Sequence, residues 1–522
     1  MGIYLNPDNE GFKQSINSEI YIDKTGLIGI TNKKLDSKQK YMCVSRARRF
    51  GKSMATELII AYYSKGCDSR ELFKDYKASK LPDFEKHLNK YNVIYLNLPF
   101  FKDLETGYKN TVSNITRTLI KELDEEFPDI ITPDETMLSM ALTQIYAKTS
   151  EKFIVVIDEW DCIFRESTED YQTQKNYIDF LRTLFKDQSF IKLAYLTGIF
   201  PIKKYNTQSA MNNFDEYTMF NPQMFEEFVG FTEEEVKGLC ERYNKDFNEI
   251  KSWYDGYMMP NGTHVYNPCS VVKSMFSRYA QSFWTQTGTY ESLKNPINMN
   301  FDGLREDIIR LMGGEEVCVD YSTFQNDMTS MACKDDILTL LVHIGYLSYN
   351  AENQTVFIPN REIKQEFATT LKLSNWQEVS KAISNSDRLI KDTIACNADA
   401  VAAAIEQCHQ DSTSILKYND ENSLACVITI AYYAAIKEFI VIRELPTGKG
   451  FADLVLLPKR NVNKPAMVIE LKYNKTAESA IDQIKKKNYP DKIKDYTGEI
   501  LLVAITYDDQ KGHTCLIEQA TK

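Results

Sequence analysis

Histidine is scarce in this chain, five in 522 residues, and none of its eleven cysteines stands in C-x-x-C spacing. A Cys-rich zinc framework and a paired disulfide scaffold are excluded on that count, and a reducing cytoplasm is the expected setting. No apolar run is long enough for a bilayer, so no membrane partner is expected; the most apolar stretch, residues 424–436, reads as a buried helix. The first residues carry neither the basic start nor the apolar core of a signal peptide, and Asn6 denies Gly2 the Ser or Thr that myristoylation needs. Nor is there a basic excess. With 62 Lys and Arg against 73 Asp and Glu the net charge is −11, which excludes a uniformly basic coat for nucleic acid and leaves room for a local patch. The remaining composition, 43% hydrophobic and 26% charged, is that of a globular protein. The length suits about three or four domains.

The organising stretch is YMCVSRARRFGKSMATELIIAYY, residues 41–63. β-Branched and aromatic residues before Ser45 suit a buried strand, and Met54, Leu58, Ile59 and Tyr62 recur at the spacing of an amphipathic helix. Between them lies Gly51-Lys52-Ser53, the end of a Walker A loop, with Arg46 where the first glycine of that pattern would stand. Phosphate binding explains these residue types. Gly51 lets backbone N–H groups close on phosphate oxygens at a helix N-terminus, Lys52 reaches the β- and γ-phosphates, and the Ser53 hydroxyl sits on Mg²⁺. Arg48 and Arg49 complete the expected nucleotide-binding set on the loop.

Residues 153–161, FIVVIDEWD, read as a central strand of a parallel sheet. It ends in Asp158, placed as a Walker B metal ligand, and Glu159, placed to polarise the attacking water. A third strand, residues 191–200, ends at Thr197, where a polar sensor of the γ-phosphate would stand. Strand-like Ile20-Tyr21-Ile22 precedes Asp23-Lys24-Thr25, and residues 92–98 supply another strand. The βα alternation implies a parallel sheet with its ligand at the carboxyl ends of the strands. From about 231 the pattern turns helical, opening with Thr232 as cap and Glu235 three residues on. Residues 301–375 read as a winged-helix-like unit, expected to be a structural arm because it lacks an arginine-rich recognition helix.

The segments YIDKT, RARRFGKS, VVIDEWD, LTGIFPI, YDGYMM and VYNPCSV together resemble a bacterial family of AAA-ATPase-like proteins that carry a C-terminal PD-(D/E)XK nuclease-like domain. Ala47 replaces the proline usual in that family's loop, whereas Arg46 is what the family itself shows. The resemblance implies an α/β protein: a P-loop AAA-ATPase-like domain with a parallel sheet over 1–230, a helical lid over 231–300, the winged-helix-like arm over 301–375, and a PD-(D/E)XK nuclease-like α/β domain over 376–522. It implies ATP or another NTP, and Mg²⁺ or Mn²⁺, as cofactors.

The C-terminal region also reads on its own as α-β-β-β-α-β: a helix over 420–436, strands at 439–445, 451–458 and 466–473, a helix at 476–489 and a strand at 499–507. Glu470 and Lys472 share one face of a strand by its period of two, and Asp453 begins the strand before it. Two carboxylates on adjacent strands can hold a divalent cation that activates water, while Lys472 orients the nucleophile. Gly448 and Gly450 precede Asp453, and Gln483 lies on the next helix. Glu421, on the first helix, is a further carboxylate by resemblance. The expected catalytic residues are thus Asp453, Glu470, Lys472, Gln483, Glu421 and, in the ATPase part, Glu159; Asp453, Glu470, Ser53 and Asp158 are the expected metal ligands. From Arg443 to Tyr496 there are 12 Lys and Arg against 7 Asp and Glu, a local positive excess suited to phosphates, with Lys485, Lys486 and Lys487 in a run.

Two functions stay open at this level. One is an NTP-controlled, metal-dependent nuclease acting on nucleic acid, with DNA the expected substrate. The other is a nucleotide-dependent switch or nucleic-acid-binding protein whose nuclease fold is inactive. A homo-oligomer would let Arg165 or Arg182 serve a neighbour's nucleotide.

Overall fold

Five consecutive apolar residues, Phe153 to Ile157, and Asp158 form strand β3 (Phe153–Asp158), buried at all six positions. Each Val or Ile side chain so enclosed contributes about 1.5–3 kcal/mol. Such a strand needs covered faces and paired edges, and the computed structural model supplies both. It describes residues 2–167, 170–202, 211–284, 291–299, 301–322, 324, 331–373, 376–412, 427–446, 451–459, 462–486, 496, 498–508, 510 and 512–520. These form two units, Met1–Phe283 with Cys318–Glu362, and Trp284–Val317 with Ile363–Lys522. Among the described residues no helix is long and apolar enough to cross a membrane.

In the first unit, β1 (Tyr41–Ser45), β2 (Asn92–Asn97), β3, β4 (Ile191–Gly198) and β5 (Asp215–Tyr217) form a parallel sheet in the order β2-β3-β4-β1-β5. Register pairs Asn97 with Asp158 and Ser45 with Gly198, so the carboxyl ends align along one edge. Helix α1 (Lys52–Tyr63) follows β1. It is more enclosed than an amphipathic helix: Leu58 to Tyr63 are all buried, while Met54, expected on the core face, is 42% exposed.

Ile20-Tyr21-Ile22 is not a strand. Its neighbours are tied by side chains instead. Asp23 accepts from the Thr25 backbone N–H (2.9 Å) and from the Lys77 N–H (2.9 Å), and Lys24 donates to Glu235. Those bonds fasten the segment at its C-terminal end without a ladder.

After β6 (Phe231–Thr232), helix α2 (Glu233–Tyr243) begins with the expected capping box: the Glu235 N–H donates to Thr232 Oγ1 (3.4 Å), and the Thr232 N–H donates to the Glu235 carboxylate (2.8 Å). Strands β7 (Tyr257–Met258) and β8 (His264–Tyr266) join β6 in a small antiparallel sheet. Asn267 then caps the next helix, Pro268–Phe276, by accepting from the Cys269 and Ser270 N–H groups. A short strand β9 (Val317–Cys318) precedes helix α3 (Lys334–His343), which leads to the hairpin β10 (Ser348–Asn350) and β11 (Thr355–Phe357).

The second unit contains helix α4 (Ala398–Ser412) and a sheet in the order β12-β13-β14-β15-β16. These strands are β12 (Phe439–Pro446), β13 (Phe451–Pro458), β14 (Ala466–Tyr473), β15 (Ile500–Asp508) and β16 (Gly512–Gln519). Only β14 and β15 run parallel, which requires a crossover, and helix α5 (Ala477–Lys486) supplies it. Ala480, Ile481 and Ile484 of α5 pack on Val455, Val468, Leu502 and Ala504. The helix expected over 420–436 is described from 427, where it is buried as expected, but it gives way to a 3₁₀ turn, Tyr433–Lys437. Residues 420–426, with Glu421, lie outside the described residues, as do Gly448, Gly450 and Lys487.

Candidate functional site

Two groups of side chains stand where the strand ends place chemistry, one in each unit. In the first, Gly51 caps α1 in the left-handed region (φ 89°); a Cβ there would meet nothing within 4 Å, so dihedral freedom, not space, selects glycine. Lys52 is buried, and its Nζ donates to the carbonyls of Arg46 (3.1 Å) and Ala47 (3.0 Å). Burial pulls its pKa down, against the pull of Glu159 and Asp158.

Arg46 explains why the loop dispenses with its first glycine. The side chain is fully buried and donates to the carbonyls of Ser45 (2.9 Å), Tyr217 (2.9 Å) and Phe225 (3.4 Å), tying the loop to β5. Burial lowers its pKa to about 10. Arg48, partly buried, accepts at its carbonyl from Asn267 Nδ2 (3.3 Å), and exposed Arg49 reaches Cys269 Sγ (3.4 Å) from a left-handed backbone.

Asp158 is 1% exposed, and Thr197 Oγ1 donates to its Oδ1, so the third expected strand does bring its threonine to the β3 end. Burial raises the Asp158 pKa; hydrogen bonds from Ser53 and Thr197 and the charge of Lys52 oppose it. Its Oδ2 is buried with no hydrogen-bond partner among the described residues. A carboxylate oxygen left this way beside a serine hydroxyl and a lysine fits a hard cation bound with phosphate. Lys52, Ser53, Asp158 and Thr197 are thus brought together.

Glu159 adopts φ 53° and is ion-paired with Arg165, whose Nε stands 3.2 Å from Asp161 Oδ2. Asp161, which the sequence reading passed over, is fully buried and accepts the Ile199 and Phe200 N–H groups at 2.9 Å each. Its signal was the acid that closes the FIVVIDEWD segment. Arg165, engaged by both acids within its own chain, is no free donor to a neighbour, whereas Arg182 is exposed.

In the second unit, Glu470 and Lys472 lie on one face of β14 with Lys472 Nζ 3.4 Å from Glu470 Oε1; the residues are 1% and 6% exposed. A buried carboxylate needs such a counter-charge. Asp453 lies on β13, the strand that pairs with β14 through Leu454–Ile469, and its side chain is outside the described residues. Gln483, half-buried, is on α5, the helix that covers this face. Lys485 of the basic run is ion-paired with Glu518 (2.6 Å). The Glu470 carboxylate beside a lysine fits a divalent cation.

Comparison with known proteins agrees with this division. Residues 10–207 match the family described as predicted AAA-ATPase, and residues 419–516 match the PD-(D/E)XK nuclease superfamily. An uncharacterized protein in the vnfD 5′ region of Azotobacter chroococcum mcd 1 is 24% identical over 288 residues, 52% of this chain and 51% of that protein. The match therefore spans about half the length of that relative. The structure of the Aeropyrum pernix ORC2 protein (ADPNP-ADP complexes) covers 70% of this chain and 98% of its own at 9% identity and a TM-score of 0.23, a likeness too low to carry an argument.

Proposed function

We propose, from a chain that carries a predicted AAA-ATPase-like domain at 10–207 and a PD-(D/E)XK nuclease superfamily domain at 419–516, that it is an NTP-binding, divalent-metal-dependent nuclease with DNA as substrate. The observation that carries this reading is the buried Glu470–Lys472 pair on β14, next to β13, the strand that holds Asp453.

A divalent cation between Asp453 and Glu470 would supply Lewis acidity and an activated water. Lys472 pairs with Glu470 in a buried setting. Lys472 orients the water and offsets the negative charge that grows on the phosphodiester. In the other domain Lys52 faces the phosphates, Ser53 and Asp158 would hold Mg²⁺, and Thr197 fixes the Asp158 carboxylate. Glu159 polarises water once released from Arg165.

The test is cleavage of plasmid and single-stranded DNA by the full chain with Mg²⁺ or Mn²⁺, with and without ATP. Glu470→Gln and Lys472→Ala should each lower cleavage by a factor of roughly 10² or more. Cleavage by the wild type that ATP alters would support coupling of the domains. No cleavage of DNA by the wild type under any condition would sink the nuclease reading and leave a nucleotide-dependent binding protein.

A further inference from the structure

Although the chain has only five histidines, two of them meet in the second unit. The rings of His409 on α4 and His513 on β16 stand 5.0 Å apart at 83°. Glu406, one helical turn before His409, accepts at Oε2 from His513 Nδ1 (2.6 Å) and from the His513 backbone N–H (3.1 Å). Gln410 Nε2 donates to the other carboxylate oxygen (2.9 Å). The Tyr507 ring lies 4.8 Å from both imidazoles and holds their planes. Gly512, at φ 74°, makes room, since a Cβ there would stand 3.1 Å from Glu406 Oε2.

One donor atom from each of Glu406, His409 and His513 lies within 4.8 Å of the other two. Ligands at about 2.0–2.1 Å from a zinc ion can be about 4 Å apart, so small side-chain rotations close the set. The two histidines are 5% and 8% exposed, while the Glu406 side chain is 34% exposed and leaves an entry path from solvent. This group is separate from Glu470 and Lys472. Those residues align with Ala504 and Thr506, whereas His513 aligns with Tyr507, on the other face of the sheet.

We propose that Glu406, His409 and His513 form a transition-metal site, for Zn²⁺ by ligand type, that clamps α4 to the edge strand β16. Two imidazoles and one carboxylate select such an ion over Mg²⁺, which takes oxygen ligands. The fourth position is left to water. On binding, the ion replaces the proton that His513 Nδ1 shares with Glu406, and that proton leaves to solvent. Burial lowers the pKa of both histidines, His513 against the hydrogen bond and charge of Glu406, and so favours the neutral ligand form.

The test uses the full chain, stripped with chelator and titrated with Co²⁺, which has visible d–d absorption where Zn²⁺ has none. The proposal expects one Co²⁺ per chain, displaced by Zn²⁺, and a melting temperature that rises with Zn²⁺. His409→Gln and His513→Asn should weaken binding on the order of 100-fold, and Glu406→Gln at least ~10-fold. Circular dichroism selects the variants that are folded. A Glu470→Gln, Asp158→Asn double variant should keep the Co²⁺ bands, which separates this site from the proposed magnesium sites. A stripped wild type that takes up neither metal, or a folded His409→Gln protein that binds Co²⁺ as tightly as the wild type, would overturn the assignment.

Discussion

Arg46 occupies the position that a motif search reserves for glycine, and its three carbonyl partners show what it does there. Restoring the pattern with Arg46→Gly should therefore weaken the protein. Three buried acceptors lose a charged donor, a cost of about 3 kcal/mol or more. The urea midpoint should fall accordingly. If it stays within error of the wild type, the arginine is not what fastens the loop. Glu233 carries a second prediction. Hydrogen bonds from Lys237 and Lys251 hold its pKa near 2, below the ordinary 4.5. A carboxylate with a depressed folded pKa stabilises the fold above its unfolded pKa, and that contribution is lost as pH falls from about 4.5 towards 2. On acidification through that window the wild type should lose stability more steeply than Glu233→Gln, and parallel urea midpoints would refute the pairing.

At the scale of elements, legibility followed burial. The strands β1 and β3 were visible because they are apolar almost throughout, as doubly covered strands must be, and β14 because an apolar run, Ala466–Ile469, leads into Glu470 and Lys472. The edge strands β5 and β16 were not, although β2 and β12, also at sheet edges, were. In β5 the sequence is Asp-Glu-Tyr and only Tyr217 is buried, so neither an apolar run nor an alternation shows. In β16 the buried His513 turns to Glu406, on a helix more than a hundred residues earlier in the chain. No local period reports such a partner, and the Glu406–His409–His513 group stayed hidden for that reason. Ile20-Tyr21-Ile22 failed in the opposite direction, having strand chemistry but no ladder to join. The α2 cap was fully legible, because both halves of a capping box are only three residues apart. Thr232→Ala should cost about 1 kcal/mol. A thermal melt checks this; an unchanged midpoint would mean that α2 is held by its packing alone.

For the whole molecule, residues 284–317 are compact with 363–522 although the chain runs through 318–362 in between. Within that unit Leu304, Ile308, Ile309, Leu311 and Met312 are almost fully buried, and Trp376 bonds Asn298 (3.3 Å) and lies under Arg305. A fragment of residues 363–522 alone would expose the surfaces that these side chains cover. It should melt less cooperatively than the full chain, and below it. A sharp transition at the temperature of the intact protein would show that 284–317 is dispensable. The nuclease superfamily match begins at 419, so the extent of that unit could not be read from motifs; it is set by burial across a gap in sequence.

The bond from Arg46 to the Tyr217 carbonyl also makes the loop and the outermost strand a single mechanical joint. Load that peels β5 from β1 reaches the backbone of the loop before α1 through one guanidinium, without passing along the sheet. Shear at that border and movement of the Gly51–Ser53 loop are then two readings of the same displacement.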